Sequence, residues 1–196
     1  MPSISRPCIR QTLERVHRSD GKRPCRHRER PSNRRVYAYL HSVKDKDRHI
    51  MEALVNSGYH IDLHCDGVDI SPADGISCLN QPLGLSEVFE GYSLVLHQAG
   101  LGLSTGCLLS GMPQLLVPKH VEAHMTAARL EEHGFGTVLS HSQQGVETQL
   151  QAALEYFFDP TAAKARQRNA KRARSWVNAR NWTSQITGIL AQASSP

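Results

Sequence analysis

Residues 94–134, LVLHQAGLGLSTGCLLSGMPQLLVPKHVEAHMTAARLEEHG, decide the fold. Leu94 to Leu96 is a short apolar run, the end of a buried strand. His97 to Gly102 is a turn of small residues, and Ser104 to Ser110 reads as a helix stopped by Gly111-Met112-Pro113. Gln114 to Val117 is a second buried strand, closed by Pro118. Val121 to His133 is a second helix, with Val121, Met125 and Ala128 at helical spacing. Strand, glycine turn, helix, strand, loop, helix is the order of an α/β protein. It predicts a Rossmann-like parallel sheet with helices on both faces.

Outward from that stretch, Val36 to Leu40 predicts the first strand, and Asp47 to Ser57 a helix with Ile50, Met51, Leu54 and Val55 inward, stopped by Gly58. Tyr59 to Cys65 alternates apolar and polar residues, which predicts a strand whose His60, Asp62 and His64 face is wetter. Asp66 to Asp74 is a loop, Gly75 to Leu79 a short strand, and Leu85 to Glu90 a short helix. After Gly134 come a strand at Thr137 to Leu139, a loop at Ser140 to Gly145, and an amphipathic helix from Val146 to Phe158 with Leu150, Ala153, Leu154 and Phe157 inward. Asp159-Pro160 breaks it; a basic helix follows to Ala179, and Asn181 caps a final helix to Leu190. Trp176 and Trp182 read as packing residues.

The chain of 196 residues suits one α/β domain, 35–196, preceded by a basic segment, 1–34, that lacks an apolar period and is expected to be disordered. The net charge is +5, with a second basic cluster from Lys164 to Arg174. No aromatic residues interleave with the first basic run, so no nucleic-acid partner is expected. The five cysteines form no CxxC pair, which argues against a disulfide framework or zinc knuckle and fits a cytoplasmic protein. No apolar run approaches membrane-spanning length.

The glycine turn carries the chemistry. A strand feeding a helix through small residues leaves backbone N–H groups unpaired at the helix N-terminus, where the dipole favours an anion. Gly100 and Gly102 are expected to supply positive φ and close approach for a phosphate. A bare strand–helix turn without a ligand is the other reading of the same residues. His120 and His124 share a helix spacing but lack an HExxH arrangement and a third ligand, so no metal site is expected. There is no GxSxG elbow for a hydrolase.

The glycine turn, the Leu-Leu-Ser-Gly-Met-Pro stop, the Leu-Leu-Val-Pro strand end and the Ala-Ala-Arg-Leu-Glu-Glu-His-Gly-Phe-Gly helix end occur together and in order. This pattern resembles the C-terminal, nucleotide-sugar-binding lobe of two-lobed, B-type UDP/TDP-glycosyltransferases, in particular the bacterial macrolide- and glycopeptide-type branch. The resemblance runs from about Arg35 to Gln192. It implies the donor-binding half of an inverting hexosyltransferase, with no cofactor beyond the UDP- or TDP-sugar donor. It also implies an acceptor lobe outside these residues, as an N-terminal lobe or a separate acceptor-binding subunit.

Aligned from the Gly-x-Pro stop, the family's phosphate-binding histidine falls on Gln98, with His97 one residue earlier. Its glycines fall on Ala99, Gly100 and Gly102, and its threonine on Leu103 beside Ser104. The acidic-Gln pair that holds sugar hydroxyls falls on Glu122-Ala123, keeping the carboxylate and losing the amide. The loop beside the nucleobase falls on Leu83. The implied donor-binding set is therefore His97, Gln98, Gly100, Gly102, Ser104, Glu122 and Leu83. The family's base comes from the other lobe, so no catalytic residue is assigned. The Gln98 and Ala123 departures favour an alternative: a degenerate, non-catalytic interaction module that has lost donor binding.

Overall fold

The computed structural model describes residues 34–66, 74–139 and 145–179. Strands β1 (Arg35–Leu40), β2 (His60–Cys65), β3 (Ile76–Cys78), β4 (Leu94–His97), β5 (Gln114–Leu116) and β6 (Thr137–Val138) form one sheet in the order β3-β2-β1-β4-β5-β6. All five pairings are parallel. Between them run α1 (Asp45–Asn56), α2 (Leu85–Gly91), α3 (Leu101–Ser110) and α4 (Val121–Glu132), followed by α5 (Val146–Phe158) and α6 (Pro160–Ala179). The chain builds outward from β1 to β3, returns to lay β4 beside β1, and builds outward again. The order reverses between β1 and β4, and a ligand crevice is expected at the strand C-terminal ends there.

Alternate strand residues serve opposite faces. Val36, Ala38, Ile61, Leu63, Leu94, Leu96 and Leu115 pack with Ile50, Met51 and Leu54 of α1 and Leu150, Leu154 and Phe157 of α5. On the other face Tyr37 and Val95 pack with Val88 of α2 and Cys107 of α3, and Leu116 packs with Ala127 and Leu130 of α4. The sheet is therefore covered on both sides, as expected for an α/β domain. Helix α6 lies against both α3 and α5. Gly58 and Gly111, at the ends of α1 and α3, adopt φ of 82° and 74°, the left-handed stop that their sequence positions predict.

Three local readings differ. The polar face of β2 is wet only at His60, which is exposed, whereas Asp62 is 4% and His64 6% exposed. The faces of a parallel sheet are covered by packed side chains and helices, here with Tyr39 stacked on His64, and the polar residues find partners instead. Arg35 pairs with Asp62, and His64 Nδ1 lies 3.1 Å from the Leu79 carbonyl. The inward face of α4 is Ala127 and Leu130, whereas Val121 and Met125 are 79% and 69% exposed and Ala128 also faces solvent. Trp176 is about half exposed. The expected disorder of 1–34 (all but Arg34), the loops at 67–73 and 140–144, Cys8, Cys25, Trp182 and the Asn181-capped helix lie outside the described residues.

Candidate functional site

In a parallel sheet every strand C-terminus lies on one edge, so Leu83 after β3, the turn after β4 and Glu122 after β5 share that edge. Helix α3 begins at Leu101, three residues before the sequence reading placed it. Gly100 is its N-cap, in extended conformation at φ −62°, and Gly102 lies in its first turn. Neither glycine has positive φ; the left-handed residue is Ala99, at φ 57°. The expected backbone role of the two glycines is thus overturned, because the helix starts early enough to make both ordinary. What they do supply is space: a Cβ on either would meet nothing within 4 Å.

The N–H groups of the first turn, from Leu101 to Leu103, have no acceptor within the helix; the first intrahelical bond runs from Ser104 N to Gly100 O at 3.0 Å. No side chain caps this end, and no acidic residue sits in the first turn. Ser104 is 2% exposed, and its Oγ has no hydrogen-bond partner among the described residues. The arrangement is an uncapped helix N-terminus under open space at the strand switch point, which suits an anion.

His97 is placed elsewhere. It is 1% exposed, inside the sheet below the turn. Its Nε2–H donates to Gln114 Oε1 at 3.0 Å, and Gln114 Nε2 donates to the Phe135 carbonyl at 3.2 Å. Burial pushes the His97 imidazole down to about 4, partly opposed by the Gln114 bond. A neutral histidine locked to Gln114 holds β4 to β5 rather than meeting a ligand.

Gln98 also turns inward, at 7% exposure. With its amide oriented to satisfy its neighbours, Oε1 accepts from Lys119 Nζ and from the His41 backbone N–H, each at 3.3 Å. Lys119 Nζ also donates to the Ser42 carbonyl at 2.6 Å and to Asp47 Oδ2 at 2.7 Å. Asp47 is 1% exposed, and its Oδ2 accepts the Lys44 N–H at 2.8 Å. This lattice ties the loop after β1 to the turn after β4 and to the loop after β5. Sequence reasoning missed it, since Lys119 and Asp47 carry no motif and are 72 residues apart.

Leu83 is half-buried against the second core cluster, and its N–H donates to the Tyr37 hydroxyl at 3.2 Å. Burial raises the Tyr37 phenol to about 12, so it stays a neutral donor and acceptor. Glu122 is exposed in the first turn of α4, and Ala123 packs into the third cluster. His120 and His124 are both exposed, and among the described residues no group of three or more His, Cys, Asp or Glu could hold a metal ion. Sequence reasoning also missed His41 and Asp66, which meet at this edge with His41 Nδ1 2.8 Å from Asp66 Oδ2. Only the rule that strand-end residues share an edge could have raised them.

No protein-family model matches the chain. Among curated proteins, glycosyltransferase GtfC of Amycolatopsis orientalis is 27% identical over 99 residues, 50% of this chain and 24% of that protein. Among solved structures, the spinosyn forosaminyltransferase SpnP matches with a TM-score of 0.60 at 19% identity, covering 75% of this chain and 41% of its own. The glycosyltransferase SsfS6 of Streptomyces sp. SF2575, complexed with thymidine diphosphate, matches with a TM-score of 0.56 at 21% identity, covering 80% and 41%. The chain thus spans about a quarter of the curated relative and about two fifths of the structural ones. No helix among the described residues is long and apolar enough to cross a membrane. In fold, and in sequence over those 99 residues, this chain is similar to the bacterial glycosyltransferases of the two-lobed B type.

Proposed function

We propose that the chain is the donor-binding lobe of an inverting glycosyltransferase, holding a UDP- or TDP-sugar whose hexose passes to an acceptor hydroxyl. The observation that carries this reading is the uncapped N-terminus of α3, under the open space above Gly100 and Gly102 at the β1/β4 switch point. Leu101, Gly102 and Leu103 offer backbone N–H groups to the diphosphate, and Glu122 accepts from sugar hydroxyls on the same edge. Leu83 lines the nucleobase end. Ser104 lies beneath the turn and His97 and Gln98 brace it from inside. The thymidine diphosphate in SsfS6 supports the ligand class. The acceptor comes from an N-terminal lobe or a separate acceptor-binding subunit, and the setting is the cytoplasm.

Calorimetric titration of UDP and TDP tests the reading. The parent is expected to bind one of them. Gly102→Val is expected to weaken binding at least tenfold while leaving the circular dichroism spectrum unchanged, since its side chain enters open space rather than the core. Equal binding by both proteins would place the nucleotide elsewhere. No binding of either nucleotide by the parent would sink the donor reading. It would leave the interaction module, for which the exposed Val121 and Met125 of α4 offer a surface.

A further inference from the structure

Helix α6 divides its cations between two sides. Arg166 and Arg174 turn inward: Arg166 donates to the Phe157 carbonyl with its Cζ 5.5 Å from the Phe157 ring centroid, and Arg174 donates to the Leu109 carbonyl. Ala163, Ala170, Ala173 and Val177 share that side, buried or half-buried. Lys164, Arg168, Lys171 and Arg172 are all exposed. At about 100° per residue these four fall within one arc of about 100°, on the side opposite Arg166 and Ala170. Among the described residues, none of the four makes an ion pair or a hydrogen bond.

Nothing on the helix balances this stripe, because Pro160–Ala179 contains no Asp or Glu. The acids that precede it in sequence are already engaged. Asp159 Oδ1 accepts the Ala162 N–H at 2.8 Å, and Glu155 Oε1 accepts from Gln151 Nε2 at 2.7 Å. A solvated helix face ordinarily interleaves the two signs, so that charges four residues apart attract. Here Lys164 and Arg168, and Arg168 and Arg172, stand at that spacing and repel. A plane of negative charge relieves every one of these repulsions at once. Trp176, 54% exposed, flanks the stripe one turn beyond Arg172. An indole has an apolar body and a polar N–H, which suits the headgroup level of a bilayer. A single-stranded nucleic acid is held instead by rings interleaved with the cations, and the one aromatic ring of α6 stands beyond the last of them.

We propose that α6 docks the protein on a membrane face carrying anionic phospholipid headgroups, with Lys164, Arg168, Lys171 and Arg172 against the phosphates and Trp176 at headgroup level. The apolar side of α6 is packed against α3 and α5, so the contact is electrostatic and reversible rather than an insertion. The crevice stays open in this arrangement. Arg174 reaches Leu109 at the C-terminal end of α3, whereas the donor reading uses the N-terminal end of the same helix. Ten residues of helix, about 15 Å, separate the two ends. Docking and nucleotide binding are therefore separable, and the proposal stands or falls without the donor reading.

The test is co-sedimentation of the full chain with vesicles of phosphatidylcholine, alone or with about one third phosphatidylserine. The parent is expected to sediment with the mixed vesicles and not with phosphatidylcholine alone. Its partitioning is expected to fall at least tenfold as salt rises from about 0.1 M to about 0.5 M. Lys164→Gln, Arg168→Gln, Lys171→Gln and Arg172→Gln together are expected to weaken partitioning by about 100-fold or more, roughly fivefold per charge. The circular dichroism spectrum is expected to be unchanged, since all four residues are exposed. The basic segment at the start of the chain supplies the control. Arg6→Gln, Arg10→Gln, Arg15→Gln and Arg18→Gln together remove the same charge and are expected to weaken partitioning by no more than about fivefold. Equal losses in the two quadruple variants would mean that net charge rather than α6 carries the binding, and would overturn the proposal. So would parent-like partitioning by the α6 variant, a parent that binds neither kind of vesicle, or tighter binding of poly(U) RNA than of the mixed vesicles at the same salt.

Discussion

Ala99 holds the turn between β4 and α3 in a conformation that L-residues avoid. At φ 57° a side chain approaches its own carbonyl, at a cost of about 1–2 kcal/mol for a residue with a Cβ. Its methyl is nonetheless buried at 1% exposure, against Leu116, Ala127 and Leu130. Strain and packing oppose each other here, so Ala99→Gly is expected to change stability by no more than about 1 kcal/mol. Ala99→Val adds a branched carbon to both problems and is expected to cost about 2 kcal/mol or more, read from urea midpoints. Lys119 poses a different problem. Its ammonium is the cation facing Asp47, a carboxylate 1% exposed whose Oδ1 already lacks a partner among the described residues. Lys119→Met leaves that charge unpaired and is expected to cost about 3 kcal/mol, while adding Asp47→Asn is expected to recover part of the loss.

At the scale of elements, α4 presents Val121 and Met125 to solvent and covers the sheet with Ala127 and Leu130. A double change of Val121→Glu with Met125→Lys is therefore expected to move the urea midpoint by less than the equivalent of about 0.5 kcal/mol per site. A buried face there would cost several times more. The same helix marks a limit of the sequence reading. Helical spacing reveals that an apolar stripe exists, and the larger Val121 and Met125 hid the smaller residues that touch the sheet. For β2 the alternation was real and His60 is exposed, but Asp62 and His64 are buried with partners from neighbouring segments, Arg35 of β1 and the Leu79 carbonyl after β3. By contrast β4, β5 and the stop at Gly111 were legible, because uninterrupted apolar runs and a glycine stop have few other solutions. The α5 boundaries, Val146 to Phe158, were legible from an amphipathic period closed by Asp159-Pro160. Within the site, the turn was visible as a motif, yet its roles moved: positive φ went to Ala99, and His97 and Gln98 went inside. The pairs Lys119–Asp47 and His41–Asp66 were invisible, because the sheet order brings together residues that no local spacing connects.

Over the whole molecule, one sheet buried on both faces makes a single cooperative unit, and its acid stability depends on what that sheet encloses. His97 closes β4 at the sheet's C-terminal edge, buried, with Nε2 bonded to Gln114 of β5 and Nδ1 without a partner among the described residues. Protonating Nδ1 would place an unsolvated charge in the core, so burial lowers the folded-state pKa from the usual 6.5 to about 4. The unfolded chain binds a proton at this residue below pH 6.5, and the folded chain does so only below about 4. Between these values the unfolded state holds the extra proton, so stability falls as pH falls. The contribution is complete above about pH 6.5 and is lost progressively down to about pH 4, by about 3 kcal/mol. Asp66, whose carboxyl is held below its ordinary range, acts in the same direction but at lower pH. Urea unfolding from pH 7 to pH 4.5 is therefore expected to show a declining midpoint in the parent. His97→Gln keeps an amide partner for Gln114 and has no proton to gain, so its midpoint is expected to stay nearly level across the same range. Parallel declines in the two proteins would mean that His97 is not the group through which acid loosens the sheet.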